Sequence, residues 1–272
     1  MADPLVILVT GASSGIGRAT ADLLQARGHR VYGTSRRPAA HDAPWSLVQL
    51  DVTDDASVAA CIEAILAAEG RIDAVVNNAG LVMAGAVEDT SIDEARRTFE
   101  TNVLGAIRVA RAVLPAMRAR GRGTIVNMGS LAGKVGMPFQ GLYSASKFAL
   151  EGLTEALRQE VAGQGITVSL VAPGDTATPV VENRVRVAAS ADPASPYAAD
   201  FTRVLAMYEK DERAGSPPAG VAALVADIVE GRKTGPRYTV GPMAQRVMVA
   251  ARNIVPGAVF QWGMSLYFGL KR

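Results

Sequence analysis

Short apolar runs alternate with longer helix-like stretches along almost the whole chain of 272 residues. Runs such as LVILV, AVVN and TIVNM are continuous, which is typical of strands that a parallel sheet buries on both faces. They predict strands at residues 4–10, 30–35, 47–50, 72–77, 124–128, 166–171 and 237–240. Helices are predicted at residues 16–27, 55–69, 91–120 with a break near Thr101, 142–164 and 218–231. The alternation predicts an α/β fold with a doubly wound parallel sheet of about seven strands and helices on both faces.

The segment at residues 175–218 breaks this alternation, because it is rich in Ala, Pro and Arg and lies between the sixth strand and the last helix. No Pro/Gly/Ser-rich linker precedes it, so we expect one domain over residues 1–272. Ligands of open α/β sheets bind at the carboxyl ends of the strands, where this segment begins. We therefore expect it to be a substrate lid. The alternative is a surface excursion that touches no ligand.

The last part of the chain, residues 241–272, is a basic amphipathic tail. No acidic residue follows Glu230, whereas apolar residues recur between basic ones such as Arg246 and Arg252. Such a tail either packs on the lid or on a neighbouring subunit, which is the interpretation we favour, or makes a weak contact with an anionic membrane surface. Arg252 and Pro256 interrupt it, so it does not predict a membrane-spanning helix.

Composition and charge argue against several classes of protein. With 28 basic and 26 acidic residues, the chain lacks the concentrated positive charge of nucleic-acid-binding proteins. The single cysteine, Cys61, excludes an internal disulfide, and neither of the two histidines has a partner at metal-ligand spacing, so no metal site is expected. The first residues lack the pattern of a secretory signal, which favours a cytoplasmic protein.

The first predicted strand leads directly into a glycine-rich turn, TGASSGIG at residues 10–17, and a helix follows. Glycines allow a tight turn and a close approach of the backbone to a phosphate, and the helix directs its unpaired N–H groups at the anion. The spacing is G-x-x-x-G-x-G and differs from the commoner G-x-G-x-x-G. Its place between a buried strand and a helix nevertheless predicts a dinucleotide pyrophosphate site.

The end of the second predicted strand indicates which dinucleotide binds. An NAD site usually has an acidic residue there, which binds the ribose 2′-hydroxyl. This chain has Ser35, Arg36 and Arg37, so no carboxylate repels a 2′-phosphate and a guanidinium can bind one. We therefore predict NADP(H). The alternative is that both arginines are solvated surface residues.

Tyr143 and Lys147 are four residues apart at the start of a predicted helix, which places both side chains on one face. A free tyrosine, with a pKa near 10, is a poor base at neutral pH, and a nearby ammonium lowers that pKa. Ser130 follows the preceding predicted strand, where it can hydrogen-bond a substrate oxygen. The three residues predict an acid–base site at the carboxyl edge of the sheet.

These motifs resemble, in the same order, those of the short-chain dehydrogenase/reductase family, over roughly residues 5–240. Residues 10–17 resemble its TGxxxGxG loop, residues 77–80 its NNAG segment and residues 173–178 its PGxxxT segment. The resemblance implies a Rossmann-type fold. It also implies cofactor binding by Gly11, Ser13, Ser14, Gly15, Ile16, Gly17, Ser35, Arg36, Arg37, Asp51, Val52, Asn78, Ala79, Gly80, Tyr143, Lys147, Pro173, Gly174 and Thr178. Some NADP-using members carry a basic residue where this chain has Ser14, so the prediction of NADP(H) rests mainly on Arg36.

Asn102, Ser130, Tyr143 and Lys147 match the catalytic tetrad of the family. The resemblance implies hydride transfer between C4 of the nicotinamide and a ketone or secondary alcohol. Tyr143 is then the general acid/base, and Ser130 holds and polarises the carbonyl oxygen. Lys147 lowers the pKa of the tyrosine and binds the nicotinamide ribose, and Asn102 anchors a water that relays protons to Lys147.

The substrate is expected to be hydrophobic. By family position Met83, Val135, Met137 and Phe139 face it, and their side chains favour a steroid-, retinoid- or lipid-like ketone or alcohol. The alternative is that these residues belong to the core. The chain looks most like the hydroxysteroid and retinol dehydrogenase branch, and its long apolar helices predict a homodimer or homotetramer. The rival functions are a non-catalytic NADP-binding regulatory or scaffold protein and a peripheral membrane reductase anchored by the tail.

Overall fold

The computed structural model of the protein describes residues 3–37 and 43–270. Within them the strands are β1 (Val6–Val9), β2 (Arg30–Ser35), β3 (Ser46–Gln49), β4 (Ala74–Asn77), β5 (Met83–Ala84), β6 (Gly123–Met128), β7 (Ile166–Pro173), β8 (Val185–Arg186) and β9 (Arg237–Val240). The α-helices are α1 (Gly15–Ala26), α2 (Asp55–Glu69), α3 (Ile92–Phe99), α4 (Gly105–Ala119), α5 (Gly141–Glu160), α6 (Val180–Asn183), α7 (Ala188–Ala191), α8 (Ala198–Arg213), α9 (Pro218–Val229), α10 (Met243–Ala251) and α11 (Gly257–Tyr267). A π-helical turn (Glu100–Leu104) joins α3 to α4, and a 3₁₀ turn (Leu131–Gly133) follows β6.

Seven strands form one parallel sheet in the order β3-β2-β1-β4-β6-β7-β9. The chain moves outward from β1 to β3 and then returns to the other side of β1 with β4. The central register pairs Ile7 of β1 with Val31 and with Ala74. The order therefore reverses at β1 and β4, and open sheets of this kind bind ligands in the crevice at such a reversal. The predicted doubly wound, Rossmann-type sheet is confirmed.

The core lies in two layers, one on each face of the sheet. Leu8 packs with Ile65 and Val109, which come from α2 and α4. Ile7, the next residue along β1, packs on the opposite face with residues of α1 and α9. Because successive strand residues point to opposite faces, a strand covered on both sides must be apolar throughout, as LVILV is. Cys61 lies in the first layer, where burial raises the pKa of its thiol to about 11.

The predicted strand boundaries lie within two residues of those observed. The predicted helix over residues 91–120 is interrupted where the break was expected, and the interruption is the π-helical turn. The predicted helix over 142–164 ends earlier, at Glu160 of α5. A 3₁₀ turn and the left-handed backbone of Gly165 (φ +70°) follow it, and both are incompatible with a continuing α-helix.

Residues 175–218 contain α6, β8, α7 and the four-turn helix α8, none of which the sequence pattern predicted. The two residues of β8 pair in parallel with β5, as Met83 with Val185 and Ala84 with Arg186. Phe201 and Val204 of α8 are buried. The segment is therefore an ordered helical layer with its own buried side chains.

The described part of the tail, up to residue 270, forms α10 and α11, and residues 271–272 of the predicted tail lie outside the described residues. Val249 and Phe260 pack against Leu131 and Val135, next to the 3₁₀ turn. Phe268 packs against Val204 and Tyr208 of α8. One face of the tail thus rests on the segment after β6 and on the predicted lid. Among the described helices, none combines the length and apolar character needed to span a bilayer.

Candidate active site

A cleft of about 580 Å³ lies along the carboxyl edge of the sheet. Eighteen of the predicted site residues line it: Gly11, Ser13, Ser14, Gly15, Ile16, Ser35, Arg36, Asp51, Val52, Asn78, Ala79, Gly80, Ser130, Tyr143, Lys147, Pro173, Gly174 and Thr178. Gly17, Arg37 and Asn102 do not line it. The cleft therefore brings together residues at the ends of six different strands with two residues of α5.

The glycine-rich turn between β1 and α1 requires its glycines for space and for backbone conformation. Gly11 (φ +65°) and Gly15 (φ +58°) adopt left-handed conformations that other residues rarely take. A Cβ on Gly17 would lie 2.4 Å from the Gly11 carbonyl oxygen, so Gly17 acts inside the turn and not on its surface. The backbone of the turn is thus open toward the cleft at the amino end of α1, which fits a dinucleotide pyrophosphate.

Asn78 holds this turn against the sheet. Its side-chain Nδ2 donates to the carbonyl oxygens of Thr10 and Gly11, each at 3.0 Å. In return, the backbone N–H groups of Asn78 and Ala79 donate to Thr10 Oγ1 at 3.0 and 2.9 Å. These four bonds link the end of β4 to the end of β1 across the point where the strand order reverses. They fix the shape of the turn before any ligand binds.

The end of β2 presents Ser35 and Arg36 to the cleft, whereas Arg37 points elsewhere. Asp51 lies beside them, and its Oδ1 accepts from the Thr53 N–H and hydroxyl at 2.9 and 2.7 Å. Burial alone would raise the pKa of Asp51, but these bonds and the positive charge of Arg36 lower it below its usual value. This end of the cleft therefore combines one ionised carboxylate with one exposed guanidinium.

Tyr143 and Lys147 lie in the first two turns of α5, and Ser130 precedes the 3₁₀ turn after β6. Lys147 Nζ donates to the Met128 carbonyl oxygen at 2.8 Å and lies 5.8 Å from the centre of the Tyr143 ring. The four-residue spacing thus brings the phenol and the amine to one face of the helix, as the sequence predicts. All three side chains line the same cleft as the phosphate turn.

Burial shifts the pKa values of both members of this pair. Burial raises the pKa of the Tyr143 phenol above its usual value of 10, and the negative charges of Glu212 and Asp175 raise it further. The interaction with the Ser130 hydroxyl lowers it, but does not offset the burial. Burial also lowers the pKa of Lys147 to about 8. The net shift of the Tyr143 pKa is thus upward, and the Lys147 amine is directed at the Met128 carbonyl; that Lys147 lowers the pKa of the phenol stays a prediction.

Asn102 lies in the π-helical turn, behind Lys147. Its side-chain Oδ1 accepts from the Leu81 N–H at 2.7 Å, and its Nδ2 donates to the Leu81 carbonyl and to Ser146 Oγ, both at 2.9 Å. A second cavity of about 10 Å³ is lined by Asn102 and Lys147 among others. That is close to the roughly 10–15 Å³ that one water molecule needs. The geometry is compatible with a water between the two residues.

The other end of the cleft is lined by residues that sequence reasoning did not find: Asp175, Tyr208, Asp211, Glu212, Gln245, Met248, Tyr267 and Phe268. Asp175 directly follows the Pro173-Gly174 pair, and its backbone N–H donates to Gln245 Oε1 at 2.9 Å. Gln245 Nε2 donates in turn to the Asp175 carboxylate. Burial raises the pKa of Asp175. An acid after the PG pair is visible in the sequence, but its partner lies seventy residues away.

Glu212 of α8 forms an ion pair with Arg184, whose Nη2 lies 2.5 and 2.6 Å from the two carboxylate oxygens. The side chain of Arg184 is completely buried, and its Nε and Nη1 atoms have no hydrogen-bond partner among the described residues. Burial raises the pKa of Glu212, while Arg184 lowers it. The pair joins the start of β8 to the end of α8 and thereby shapes the wall of the cleft.

Of the four apolar residues expected at the substrate, only Met137 lines the cleft. Met83 is buried in β5, and Val135 packs against the tail. Phe139 has a positive φ of 57° and packs edge-on against Phe201, with ring centres 5.8 Å apart. The predicted lid and the tail cover these side chains. The lid and the tail also supply most of the residues that line this end of the cleft.

The sequence profile of the family described as short chain dehydrogenase matches residues 5–188. The chain belongs to the short-chain dehydrogenase family. It is 39% identical over 268 residues to a 3-ketodihydrosphingosine reductase of Bacteroides thetaiotaomicron, covering 98% of this chain and 99% of that one. It is 34% identical to retinol dehydrogenase 8 of Bos taurus, covering 100% of this chain and 96% of that one. The family resemblance that the motifs indicated is confirmed.

Solved structures of short-chain dehydrogenases share its fold. One from Streptomyces avermitilis superposes with a TM-score of 0.81 at 35% identity over 96% of each chain. One from Burkholderia phymatum, in complex with NAD, is 28% identical with a TM-score of 0.81 over 93% of this chain and 94% of that chain. ElxO with NADP bound is 26% identical with a TM-score of 0.70 over 88% and 97%. This short-chain dehydrogenase is thus an oxidoreductase for CH–OH and C=O groups that binds NAD or NADP.

Proposed function

We propose that this short-chain dehydrogenase is an NADPH-dependent reductase of lipid-like ketones. The observation that carries the proposal is a single cleft in which the phosphate turn and Arg36 lie at one end and Ser130, Tyr143 and Lys147 at the other. The bound dinucleotide supplies the hydride, and the protein supplies position, charge and a proton. Ketone reduction needs all three at one carbonyl group, which is what this arrangement offers.

Ser130 and Tyr143 would act on the carbonyl oxygen. The Ser130 hydroxyl would donate a hydrogen bond that stabilises the negative charge developing on that oxygen. The phenol of Tyr143 would then transfer its proton to the oxygen as general acid. Lys147 would bind the nicotinamide ribose, and a water beside Asn102 would return a proton from solvent through Lys147.

The raised pKa of Tyr143 suits its phenol to donate a proton in the reduction of a ketone. A phenol whose pKa lies above 10 stays protonated at neutral pH, and a protonated phenol is an acid ready for the carbonyl oxygen. Oxidation of an alcohol would instead need the phenolate, which burial and the nearby carboxylates disfavour. The protonation state that this environment favours is therefore the one that ketone reduction uses.

The preference for NADP(H) rests on Arg36. Its side chain lines the cleft at the end of β2, and no acidic residue comes directly after β2 in the sequence. A guanidinium can bind a 2′-phosphate through paired, charge-assisted hydrogen bonds. Arg37 lies outside the cleft lining and is not needed for this role.

The substrate we favour is a long-chain amino ketone. The Bacteroides thetaiotaomicron relative, which is 39% identical, acts by its name on 3-ketodihydrosphingosine, whose amino group lies next to the ketone carbon. In this chain Asp175, Asp211 and Glu212 line the substrate end, where Arg184 balances only one of their charges. A substrate ammonium would be attracted there, and Met248 and Phe268 would pack against its alkyl chain.

The test of catalysis is Tyr143→Phe, which keeps the ring and removes the acid. We expect kcat for a long-chain ketone to fall by about 10²–10⁴-fold, the usual contribution of general acid–base catalysis. The dissociation constant for NADPH, measured by fluorescence, should change less than twofold. Tyr197→Phe is the matched control, because the Tyr197 hydroxyl is bound to Glu88 away from the cleft lining. Substantial turnover by Tyr143→Phe would contradict the proposed mechanism.

The test of the substrate compares 3-ketodihydrosphingosine with a ketone of the same chain length that lacks the amino group, followed by NADPH absorbance. We expect kcat/KM to be at least tenfold higher for the amino ketone. Asp175→Asn should remove most of that preference, because one charge-assisted contact is worth about 1.5–3 kcal/mol. The control is Asp200→Asn, which replaces an exposed carboxylate of α8. Equal values for the two ketones would contradict recognition of the amino group, and steroid or retinoid ketones in the same panel test the broader prediction.

The expected assembly is a homodimer or homotetramer through α4 and α5. Leu104, directly before α4, and Phe148 in α5 are both exposed. Light scattering coupled to gel filtration measures it directly. A monomer at micromolar concentration would contradict this part of the proposal. A cytoplasmic location stays a prediction.

A further inference from the structure

The two tail helices and the turn between them expose large apolar side chains. We define the C-terminal apolar face as Met243, Val247, Ile254, Val259, Trp262 and Leu266. Their exposed fractions range from 47% for Trp262 to 84% for Ile254. Only five other large apolar side chains of the described residues are comparably exposed. Exposed apolar side chains concentrated in this way mark an interaction surface.

The spacing of these residues shows that each helix is apolar on two sides. Val259, Trp262 and Leu266 are three and four residues apart, so they lie on one side of α11. Phe260 and Met264, four residues apart, lie on the other side and pack inward. In α10 the exposed pair Met243 and Val247 is separated in the same way from buried Val249. Packing inside the chain thus covers the inner side, whereas Met243, Val247, Val259 and Leu266 on the outer side are each more than half exposed.

The charge around this face is positive. Arg246 and Arg252 are exposed, and no carboxylate lies within ion-pair distance of either one in residues 3–37 and 43–270. The Arg252 guanidinium lies 5.9 Å from the centre of the Phe148 ring. No acidic residue follows Glu230 in the sequence. Apolar side chains with unbalanced arginines beside them are complementary to an anionic lipid surface.

The same helices also form part of the cleft. Gln245 and Met248 of α10, together with Tyr267 and Phe268, line its substrate end. Each helix therefore has one side at the cleft and another side exposed. If a surface binds the exposed side of the helices, the substrate end of the cleft therefore lies close to that surface.

We propose that the C-terminal apolar face docks on the surface of an anionic phospholipid bilayer, so that the substrate end of the cleft lies next to the lipid. The docking itself does not depend on catalysis. Its benefit, direct entry of a membrane-borne ketone, rests on the proposed function. A second copy of the chain is a less suitable occupant, because a twofold contact through this face would bring like-charged arginines together.

Co-sedimentation with vesicles tests the docking. We expect the full chain to bind vesicles of phosphatidylcholine with 30% phosphatidylglycerol, and to bind pure phosphatidylcholine at least fivefold more weakly. Val247→Ser/Val259→Ser/Leu266→Ser should lower binding about tenfold or more, because inserted apolar side chains supply most of the affinity. Arg246→Glu/Arg252→Glu should remove the preference for anionic lipid. Val87→Ser/Ile92→Ser and Arg111→Glu are exposed controls elsewhere on the surface.

Three results would overturn the proposal. The first is no binding to either kind of vesicle. The second is equal binding by all variants whose thermal unfolding matches that of the parent chain. The third is a concentration-dependent dimer that the serine variant loses, which would assign the face to a second copy.

An activity comparison separates docking from the proposed function. The same long-chain ketone is offered in neutral detergent micelles and in anionic vesicles. The serine variant should match the parent chain in micelles and fall at least fivefold below it in vesicles. A chain that binds vesicles but reduces no ketone would contradict the proposed function and leave the docking intact. Equal rates in vesicles would contradict entry of the substrate from the lipid.

Discussion

The two ends of the cleft are built in different ways. At the cofactor end, the phosphate turn, the end of β2 and Asn78 come from the first eighty residues, and each follows a strand of the central sheet. At the substrate end, Asp175, Glu212, Gln245 and Phe268 come from segments spread over nearly a hundred residues. The structure of the cofactor end follows from the strand order and from short sequence motifs. The structure of the substrate end depends on how the predicted lid and the tail pack on each other.

This difference has a consequence for how each end responds to change. The cofactor end is held by backbone hydrogen bonds of the sheet and by the bonds between Asn78 and the phosphate turn. The substrate end is held by side-chain contacts such as Arg184 with Glu212 and Asp175 with Gln245. Single substitutions should therefore alter the substrate end more easily, with little effect on dinucleotide binding.

The largest effect is expected from Glu212→Ala, which leaves the buried Arg184 without its partner. Breaking a buried ion pair by removing one member costs about 3–5 kcal/mol. We expect a loss of this size in the free energy of unfolding, measured with urea, and a raised KM for the ketone. The dissociation constant for NADPH should stay within about twofold. Asp200→Ala breaks an exposed pair, with Arg203, and should cost less than about 1 kcal/mol. Equal losses from the two variants would contradict the role assigned to the buried pair.

A smaller effect confined to the cofactor end is expected from Arg36→Asp. Losing a charge-assisted contact to the 2′-phosphate costs about 1.5–3 kcal/mol, so KM for NADPH should rise roughly 10–100-fold. KM for NADH should change less than about threefold, and KM for the ketone should not change. Arg37→Asp is the matched control, because Arg37 does not line the cleft. If both variants weakened NADPH equally, Arg36 alone would not account for the preference.

The smallest effect concerns Lys147, which lies beside the Tyr143 ring. Burial lowers its pKa to about 8, whereas the unfolded chain has a value near 10.5. Between these values the unfolded state binds more protons, so the free energy of unfolding should rise with pH. Lys147 should contribute a rise of about 1–2 kcal/mol from pH 8 to 9.5, which the raised pKa of the Cys61 thiol partly offsets over the same range. Above pH 10 the raised pKa of Tyr143 acts in the opposite direction, so the measurement stops below it.

Comparison with Lys147→Met isolates this contribution, since the variant cannot titrate at that position. Its stability should lack the rise that the parent chain shows between pH 8 and 9.5. Lys210→Met, at an exposed position on α8, should keep the rise. Parallel pH curves for Lys147→Met and the parent chain would contradict a buried amine with a lowered pKa.

Much of the fold followed from the sequence because parallel strands buried on both faces leave a simple signal. The seven strands of the main sheet were found for this reason, and the phosphate turn, Arg36 and Ser130 could be placed at their ends. The pairing of β5 with β8 gave no such signal, because two-residue strands have no periodicity. Helix α8 was missed because charged residues recur along it, in AADFTRVLAMYEKDER, and its buried face is only Phe201, Val204 and Tyr208.

The substrate end was the least predictable part of the site. Met83, Val135 and Phe139 were expected at the substrate, but other segments cover them. Gln245 lies in the tail, and only the folded chain brings it to Asp175. The protonation of Tyr143 depends on carboxylates from α8 and from the residue after Gly174, which spacing along the chain does not reveal.

The π-helical turn at Glu100–Leu104 depends on the number of residues between α3 and α4. A π turn contains one residue more than the α-helical turn it replaces. Deleting a single residue here would therefore restore an ordinary α-helical turn and leave α3 and α4 in nearly the same relative orientation. Arg97, which lines the cleft, and Thr98, which contacts Met83, would both keep their directions. One codon lost at this turn would thus remove the bulge that carries Asn102, while the helices on either side stayed in phase.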